Sequence, residues 1–284
     1  MKQPFIVAEC SGNHNGDLQR ALQLVQAAKD AGADAVKIQT FTPEQMVDPD
    51  LVIETGPWAG QKAIDLYRQT HYPREWHVPI FNFAHDLGLV ELSSVFHRDD
   101  VDFLETIGCP IYKIASAEAT DLDLIEYTAE TGKPMIISTG MCSWEQMVSA
   151  VDAARRGGCM DLTLLKCTTS YPAPIEEANL LTMDHIRHGL NVDAGLSDHT
   201  MGWIVPVAAV AAGAQVIEKH LTLSRDDGGP DAAFSMEPKE FKNMVEACRI
   251  AATAMGKPTY EATASERQYM HLKRPPAGKR GECK

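Results

Sequence analysis

Two histidines follow closely on apolar segments: His199 in the run GLSDHT (Gly195–Thr200) and His220 in VIEKHLT. Neutral imidazole is the commonest metal-binding side chain. Two such ligands, with carboxylates nearby and coordination positions left open, suit a divalent ion acting as a Lewis acid. Zinc fits less well, because no cysteine or third histidine is evidently placed beside them. Taken singly, each histidine reads equally as a satisfied core residue. Two lysines give a second signal. Lys37 lies inside AVKIQT and Lys113 inside IYKIA, and an uncompensated charge within an apolar run is costly. They point to a buried anion, phosphate or carboxylate, held between neighbouring strands. Hydroxyls of Ser94, Ser116, Ser138 and Ser197 would donate to the same oxyanions, although a lone strand-end serine also serves as a helix N-cap.

These residues act together only if a fold gathers the ends of their strands. Short apolar, β-branched runs alternate with longer segments of helical spacing. Strands are expected at 5–10, 35–40, 89–94, 111–115, 134–139, 162–167, 192–196 and 215–220, with helix-like stretches such as WEQMVSAVDAARRGG between most of them. That alternation implies parallel strands joined by right-handed crossovers. Eight such units over roughly 250 residues predict the α/β class and an eight-stranded parallel β/α (TIM) barrel. An open doubly wound sheet usually carries G-x-G-x-x-G after its first strand; here the turn is SGNHNGD. In a barrel the polar residues at strand C-termini converge on one mouth. Glu9, Asn13, Gln39, Glu118, Lys166, Tyr171, Asp198, Glu218 and Lys219 join the residues above on that basis. Two irregular stretches, 41–73 and 170–179, fall on the same side. Asp198 reads as a helix cap or an orienting group.

Composition narrows the function. The 284 residues carry a net charge of −13, a poor match to nucleic acid, which needs clustered cations. A small anionic ligand needs only a few local lysines. No apolar run approaches the ~20 residues of a membrane span. The opening MKQPFIVAECSGNHNG lacks a signal-peptide layout. The seven cysteines are scattered without a C-x-x-C pair, so a disulfide framework is not expected and a cytoplasmic setting is. Cys10 and Cys167 fall at strand ends, where the plainer reading is small apolar filler.

The segments AECSGNHNGDLQRAL, AGADAVKIQT, YKIASAEATDLDLI, GKPMIISTGM, LLKCTTSYPAP, GLSDHTMG and VIEKHLTLSRDDGGPDAAFSMEP together resemble the sialic acid synthase family, from about Phe5 to Gly256. That family condenses phosphoenolpyruvate with an N-acetylated hexosamine to give a nine-carbon 2-keto-3-deoxy acid and phosphate. Within it, SGNHN, WAGQKAIDLYRQTHYPREWH and DAAFSMEP look most like pseudaminic acid synthases, which use a 6-deoxy-2,4-diacetamido sugar; neuraminate and legionaminate synthases are the alternative. The resemblance implies that His199 and His220 hold Mn²⁺, with Mg²⁺ or Co²⁺ as substitutes. It implies that Lys37, Ser94, Lys113, Ser116, Ser138 and Ser197 bind phosphoenolpyruvate, and that Gln39, Tyr171, Asp231 and Asn13 line the sugar site. A carboxylate, Glu118 or Glu9, would stabilise positive character at carbon 2 and take the proton of the attacking water.

Three departures from the family pattern qualify those expectations. Relatives usually begin with a hairpin before strand one. They usually end with an antifreeze-like domain that reaches across a dimer to the partner's sugar site. Val95 stands where the family commonly has proline. The expected organisation is a catalytic barrel over 1–256 and a tail or linker over 257–284, with the sugar site completed by a homodimer partner or a separate cap protein. Two other functions use the same residues: a Schiff-base aldolase built on Lys113, and a non-catalytic barrel subunit.

Overall fold

The eight apolar runs pair in order, each with the next, in the computed structural model, which describes residues 2–56 and 58–274. The strands are β1 (Phe5–Glu9), β2 (Ala35–Thr40), β3 (Val90–Val95), β4 (Ile111–Ile114), β5 (Met135–Ser138), β6 (Leu162–Cys167), β7 (Asp193–Asp198) and β8 (Val216–His220). All pairs are parallel, and β8 returns to β1, closing the barrel. The expected spans hold to within a residue or two, the main shift being β7, which runs on through Asp198.

Around the barrel run α1 (Leu18–Asp30), α2 (Pro43–Met46), α3 (Ala63–Thr70), α4 (Arg74–Asp86), α5 (Arg98–Thr106), α6 (Leu122–Ala129), α7 (Trp144–Arg156), α8 (Thr182–Leu190), α9 (Ile204–Ala211) and α10 (Pro238–Met255). Local chemistry sets their ends. Asp17 caps α1 by accepting from the Gln19 amide at 2.7 Å. Ser143 and Gln146 form a reciprocal capping box at the start of α7. The stretch 41–73 contains α2 and α3 and lies over the C-terminal end of the barrel, with Met46, Trp58, Leu66 and Tyr67 beside its opening. Residues 257–274 are mostly exposed turns ending in a 3-10 helix (Arg267–Leu272); the rest of the expected tail lies outside the described residues. Among the described residues no helix is long and apolar enough to cross a membrane.

The pleat divides the strand residues between two cores. Val7, Ala35, Leu92, Ile136, Leu165 and Val216 fill the barrel interior, while residues such as Ile6, Val36, Ile38, Ile114, Leu164 and Ile217 pack outward under the helices. Successive side chains alternate between these faces. In β7 and β8 the register pairs Ser197 with Glu218 and Asp198 with Lys219, so the first pair faces in and the second faces out. Asp198 and Lys219 therefore do not join the mouth. They form a buried ion pair under the helices, each about 1% exposed. Asp198 also accepts from the Thr200 amide and hydroxyl, both at 3.1 Å, and Lys219 donates to the Thr200 carbonyl. This network fixes the chain on either side of His199. Lys219→Met leaves a buried carboxylate unpaired and should cost about 3–5 kcal/mol, whereas Lys219→Met with Asp198→Leu should recover most of that loss. Urea denaturation of the two variants checks the expectation.

Candidate active site

Above the apolar plug, inward-facing side chains line a cavity of about 290 Å³ at the C-terminal end of the barrel. Of the residues singled out from the sequence, Glu9, Lys37, Gln39, Ser94, Lys113, Ser116, Glu118, Ser138, Tyr171, Ser197, His199, His220 and Asp231 all line it. Asn13 does not. Its side-chain amide is fully buried and donates to the Leu221 carbonyl and the Ser235 hydroxyl, each at 2.9 Å. It ties the β1 turn to the loop after β8, outside the cavity lining. A larger cavity, about 550 Å³, opens at the opposite end of the barrel. It lacks this convergence of buried charged groups.

The centre of the cavity is a charge cluster. Lys37 and Lys113 are not on neighbouring strands; β3 lies between theirs. The space between the lysines is occupied by Glu218, whose Oε1 is 2.7 Å from Lys37 Nζ, 3.9 Å from Lys113 Nζ and 3.3 Å from the Ser197 hydroxyl. Lys37 also meets Glu9 at 2.5 Å, and Lys113 donates to the Ser138 hydroxyl at 2.7 Å and the Ile114 carbonyl at 3.1 Å. Burial pushes the Lys37 ammonium down to about 8 in spite of Glu218 beside it. Burial alone would raise Glu218, but Lys113 and Lys37 hold it down at about 2. The cluster is thus buried around an ionised Glu218, whose second carboxylate oxygen, Oε2, has no hydrogen-bond partner.

The two carboxylates expected to do chemistry are held differently. Glu9 is fully buried, engaged by Lys37 and by the Ser11 amide at 2.6 Å. Glu118 stands nearer the rim in a short 3-10 turn, and its Oε2 is buried without a partner. Burial raises its pKa above the usual carboxylate range, with Lys113 pulling against the rise. Ser116 is fixed by the Gly140 amide, which donates to its hydroxyl at 3.0 Å. A side chain at Gly140 would lie 2.2 Å from Thr169 Oγ1 and 2.8 Å from Ser116 Oγ, so only glycine allows that approach.

The histidine rings lie side by side, tilted 55° to one another with centroids 5.3 Å apart, and Tyr171 is 4.3 Å from His199. His199 Nδ1 donates to the Thr168 carbonyl at 3.0 Å, so a ligand would meet Nε2. Burial would lower the His199 pKa, but Cys167 beside it raises it above the ordinary value. His220 Nδ1 is buried with no partner. Both features fit a cation placed between the rings. No group of three or more His, Cys, Asp or Glu converges among the described residues, so the protein would supply two nitrogens and leave the other positions open. Of the two strand-end cysteines, Cys10 is filler, its thiol pushed up to about 12 by burial. Cys167 instead lines the cavity. Burial would raise its thiol, but His199, 3.9 Å away, brings it down to about 7.

Toward solvent the cavity becomes aromatic and apolar. Trp58 donates its indole N–H to the Pro230 carbonyl at 3.0 Å and lies 5.6 Å from Tyr171 and 6.2 Å from Phe234, centroid to centroid. Beside it a polar chain runs from Gln39 through Ser11 to Asp231: Gln39 Nε2 donates to Ser11 Oγ at 3.2 Å, and Ser11 Oγ donates to Asp231 Oδ2. Asp231 is raised by burial, with Ser11 and the Gly12 amide opposing. Sequence reasoning placed Glu218 at the mouth with no role of its own, read Cys167 as filler, and passed over Ser11 and Gly140. Only Glu218 carried a usable signal, a carboxylate two residues before His220 and therefore on the same face of β8.

With that geometry in place, comparison with known proteins is specific. Residues 24–260 match the NeuB family. The chain is 43% identical to the pseudaminic acid synthase of Helicobacter pylori over 90% of its own length and 76% of the relative's. It is 38% identical to the N,N'-diacetyllegionaminic acid synthase of Legionella pneumophila over 89% of its length and 73% of that protein's. The crystal structure of N-acetylneuraminic acid synthetase from Leptospira borgpetersenii, in complex with citrate, superposes with a TM-score of 0.87 at 29% identity, covering 95% of this chain and 91% of that one. The strand order, the buried lysine–glutamate cluster and the adjacent histidines thus sit in a chain that belongs to the NeuB family.

Proposed function

We propose that the protein is a metal-dependent synthase that condenses phosphoenolpyruvate with an N-acetylated amino sugar, and that the sugar is the 6-deoxy-2,4-diacetamido compound leading to pseudaminic acid. The Lys37–Glu218–Lys113 cluster beneath the histidine pair carries the reading. The identity to the Helicobacter pylori pseudaminic acid synthase supports the choice of sugar.

Lys37 and Lys113 hold the phosphate and carboxylate of phosphoenolpyruvate by charge, with Ser94, Ser116, Ser138 and Ser197 supplying neutral donors. Two fixed cations orient the enol so that carbon 3 faces the sugar carbonyl. A divalent ion bound by His199 and His220, Mn²⁺ first and Mg²⁺ or Co²⁺ as substitutes, would polarise that carbonyl. As carbon 3 bonds to the carbonyl carbon, the carbonyl π pair moves to its oxygen, which takes a proton and becomes the new hydroxyl, and positive character develops at carbon 2. That carbon lies between phosphate and carboxylate, and so beside Glu218. Glu218 stays ionised and its free oxygen answers the developing charge. Water adds at carbon 2, with Glu118 positioned at the rim to accept its proton. The tetrahedral adduct then expels phosphate toward the lysines, the bond from carbon 2 to the phosphate oxygen breaking as the carbon 2 hydroxyl gives up its proton to form the keto group. Completion of the sugar's outer contacts by a second copy of the chain or by a separate cap protein belongs to the same proposal.

A substrate panel tests it. The protein is mixed with phosphoenolpyruvate, Mn²⁺ and, in turn, the diacetamido sugars leading to pseudaminic and legionaminic acid and the N-acetylated hexosamine leading to neuraminic acid. Phosphate release should require both substrates, and the product mass should be that of the sugar plus pyruvate, with the pseudaminate precursor giving the highest kcat/KM. Phosphate release that ignores every sugar overturns the reading.

A further inference from the structure

Ser11 occupies backbone territory that a serine ordinarily avoids. Its φ is +40°, in the left-handed region where glycine is the default residue and other side chains are disfavoured. A glycine stands next to it, but for another reason. A Cβ on Gly12 would lie 2.6 Å from Thr70 Cγ2, so Gly12 is needed for close packing while the conformationally awkward position carries a side chain.

Every polar atom of Ser11 is used. Its amide donates to Glu9 Oε1 at 2.6 Å, and its carbonyl accepts from the buried Tyr72 hydroxyl at 2.8 Å. Its hydroxyl accepts from Gln39 and donates to Asp231 Oδ2, which the Gly12 amide also reaches at 3.1 Å. Asp231 Oδ1 makes no hydrogen bond to any described residue. Both Asp231 and Gln39 line the cavity, Gln39 two residues beyond Lys37 on the same face of β2. Strained backbone persists where its surroundings over-determine it, and such positions cluster at ligand clamps. A hydroxyl that glycine would lack is the property this position retains.

We propose that Ser11 is a positioning residue for the acceptor sugar: it locks the Asp231 carboxylate and the Gln39 amide in one orientation, so that Asp231 Oδ1 accepts from an N–H or O–H of an acetamido sugar. This rests on the synthase reading above. It separates the two substrates, because Ser11 contacts none of the groups assigned to phosphoenolpyruvate except through the backbone amide held by Glu9.

The conformation makes the test clean. Ser11→Gly relieves the backbone and removes the hydroxymethyl group, so its Tm should stay close to that of the unchanged protein. Ser11→Ala keeps the strained backbone, loses the same hydroxyl and should be the less stable of the two. Both should lower kcat/KM for the sugar by about 10- to 100-fold, the range for a lost hydrogen bond to a charged group. KM for phosphoenolpyruvate should stay within about twofold, a split that a general loosening of the site does not produce. Unchanged sugar kcat/KM in Ser11→Gly overturns the inference, and so does an equal rise in KM for phosphoenolpyruvate. Failure of the unsubstituted protein to use any sugar overturns the synthase reading and this inference with it. That outcome is distinguishable because it appears before any substitution is made.

Discussion

Glu218→Gln should lower kcat by about 100-fold or more and, at neutral pH, tighten the binding of inorganic phosphate. The two effects come from one carboxylate with two duties. Glu218 Oε1 serves as counter-ion to Lys37 at 2.7 Å and Lys113 at 3.9 Å, so an incoming phosphate competes with it for the same cations. Removing the negative charge frees those cations for the ligand. Glu218 Oε2, buried and unpartnered, is the oxygen available to stabilise positive character at carbon 2, and a charged group aimed at a developing charge is commonly worth two to three orders of magnitude in rate. Glutamine is nearly isosteric and Glu9 still faces Lys37 at 2.5 Å, so the barrel should remain folded. The pH dependence has a definite sign. Glu218 holds the Lys37 ammonium up against burial, and Lys37 still lies at about 8. Without Glu218 it falls lower, so the variant should lose phosphate affinity at a lower pH than the unsubstituted protein as the ammonium deprotonates. Steady-state kinetics with phosphate as competitive inhibitor reads both terms. An unchanged kcat would reduce Glu218 to a counter-ion.

The barrel and most of the site residues were legible because both follow from short-range patterns. Period-two burial put Lys37, Ser94, Lys113, Ser138 and Ser197 on the inner face of strands whose apolar runs were plain, and parallel closure brought those strand ends together. The same pleat, applied residue by residue, separates Ser197 from Asp198 and Glu218 from Lys219, which a count of polar strand-end residues does not. What stayed hidden depends on distant partners. Asn13 stays out of the cavity lining because Leu221 and Ser235 come back to it across the closure of the barrel. Ser11 matters because Asp231, from the loop after β8, meets its hydroxyl, and because its backbone is left-handed beside a glycine that is not. Glu218 looked like one more strand-end carboxylate until the two lysines were seen to share it. Trp58 sits in a stretch without regular periodicity, so no local pattern announced its bond to Pro230.

His220→Ala should remove the response to Mn²⁺ and lower kcat by at least about 100-fold at any Mn²⁺ concentration, and excess chelator should do the same to the unsubstituted protein. The contrast between two buried histidines carries this expectation. His77 has both ring nitrogens engaged, Nδ1 with the Pro73 carbonyl at 3.2 Å and Nε2 with the Thr40 hydroxyl at 2.8 Å, and burial pushes it down to about 4. It is a neutral structural residue. His220 is buried too, yet Nδ1 has no partner, an arrangement that costs free energy unless something else satisfies the nitrogen. Burial and the nearby His199 and Lys37 push its pKa well below the ordinary value, so the ring is neutral and keeps a lone pair at working pH. His199 donates Nδ1–H to the Thr168 carbonyl at 3.0 Å; burial would lower its pKa, but Cys167 beside it raises it above the ordinary value, so a bound cation would displace the Nε2 proton. On the proposed reading, two imidazoles with centroids 5.3 Å apart beside the Lys37–Glu218–Lys113 cluster would hold a cation against the sugar carbonyl and not against the phosphate. Electron paramagnetic resonance of free Mn²⁺ measures the binding directly. The affinity should fall by about 100-fold or more in His220→Ala, since half of the protein's ligands are gone, and stay unchanged in His77→Gln, whatever that substitution does to stability. Full turnover in excess chelator, or Mn²⁺ binding equal in His220→Ala and the unsubstituted protein, rules the metal role out.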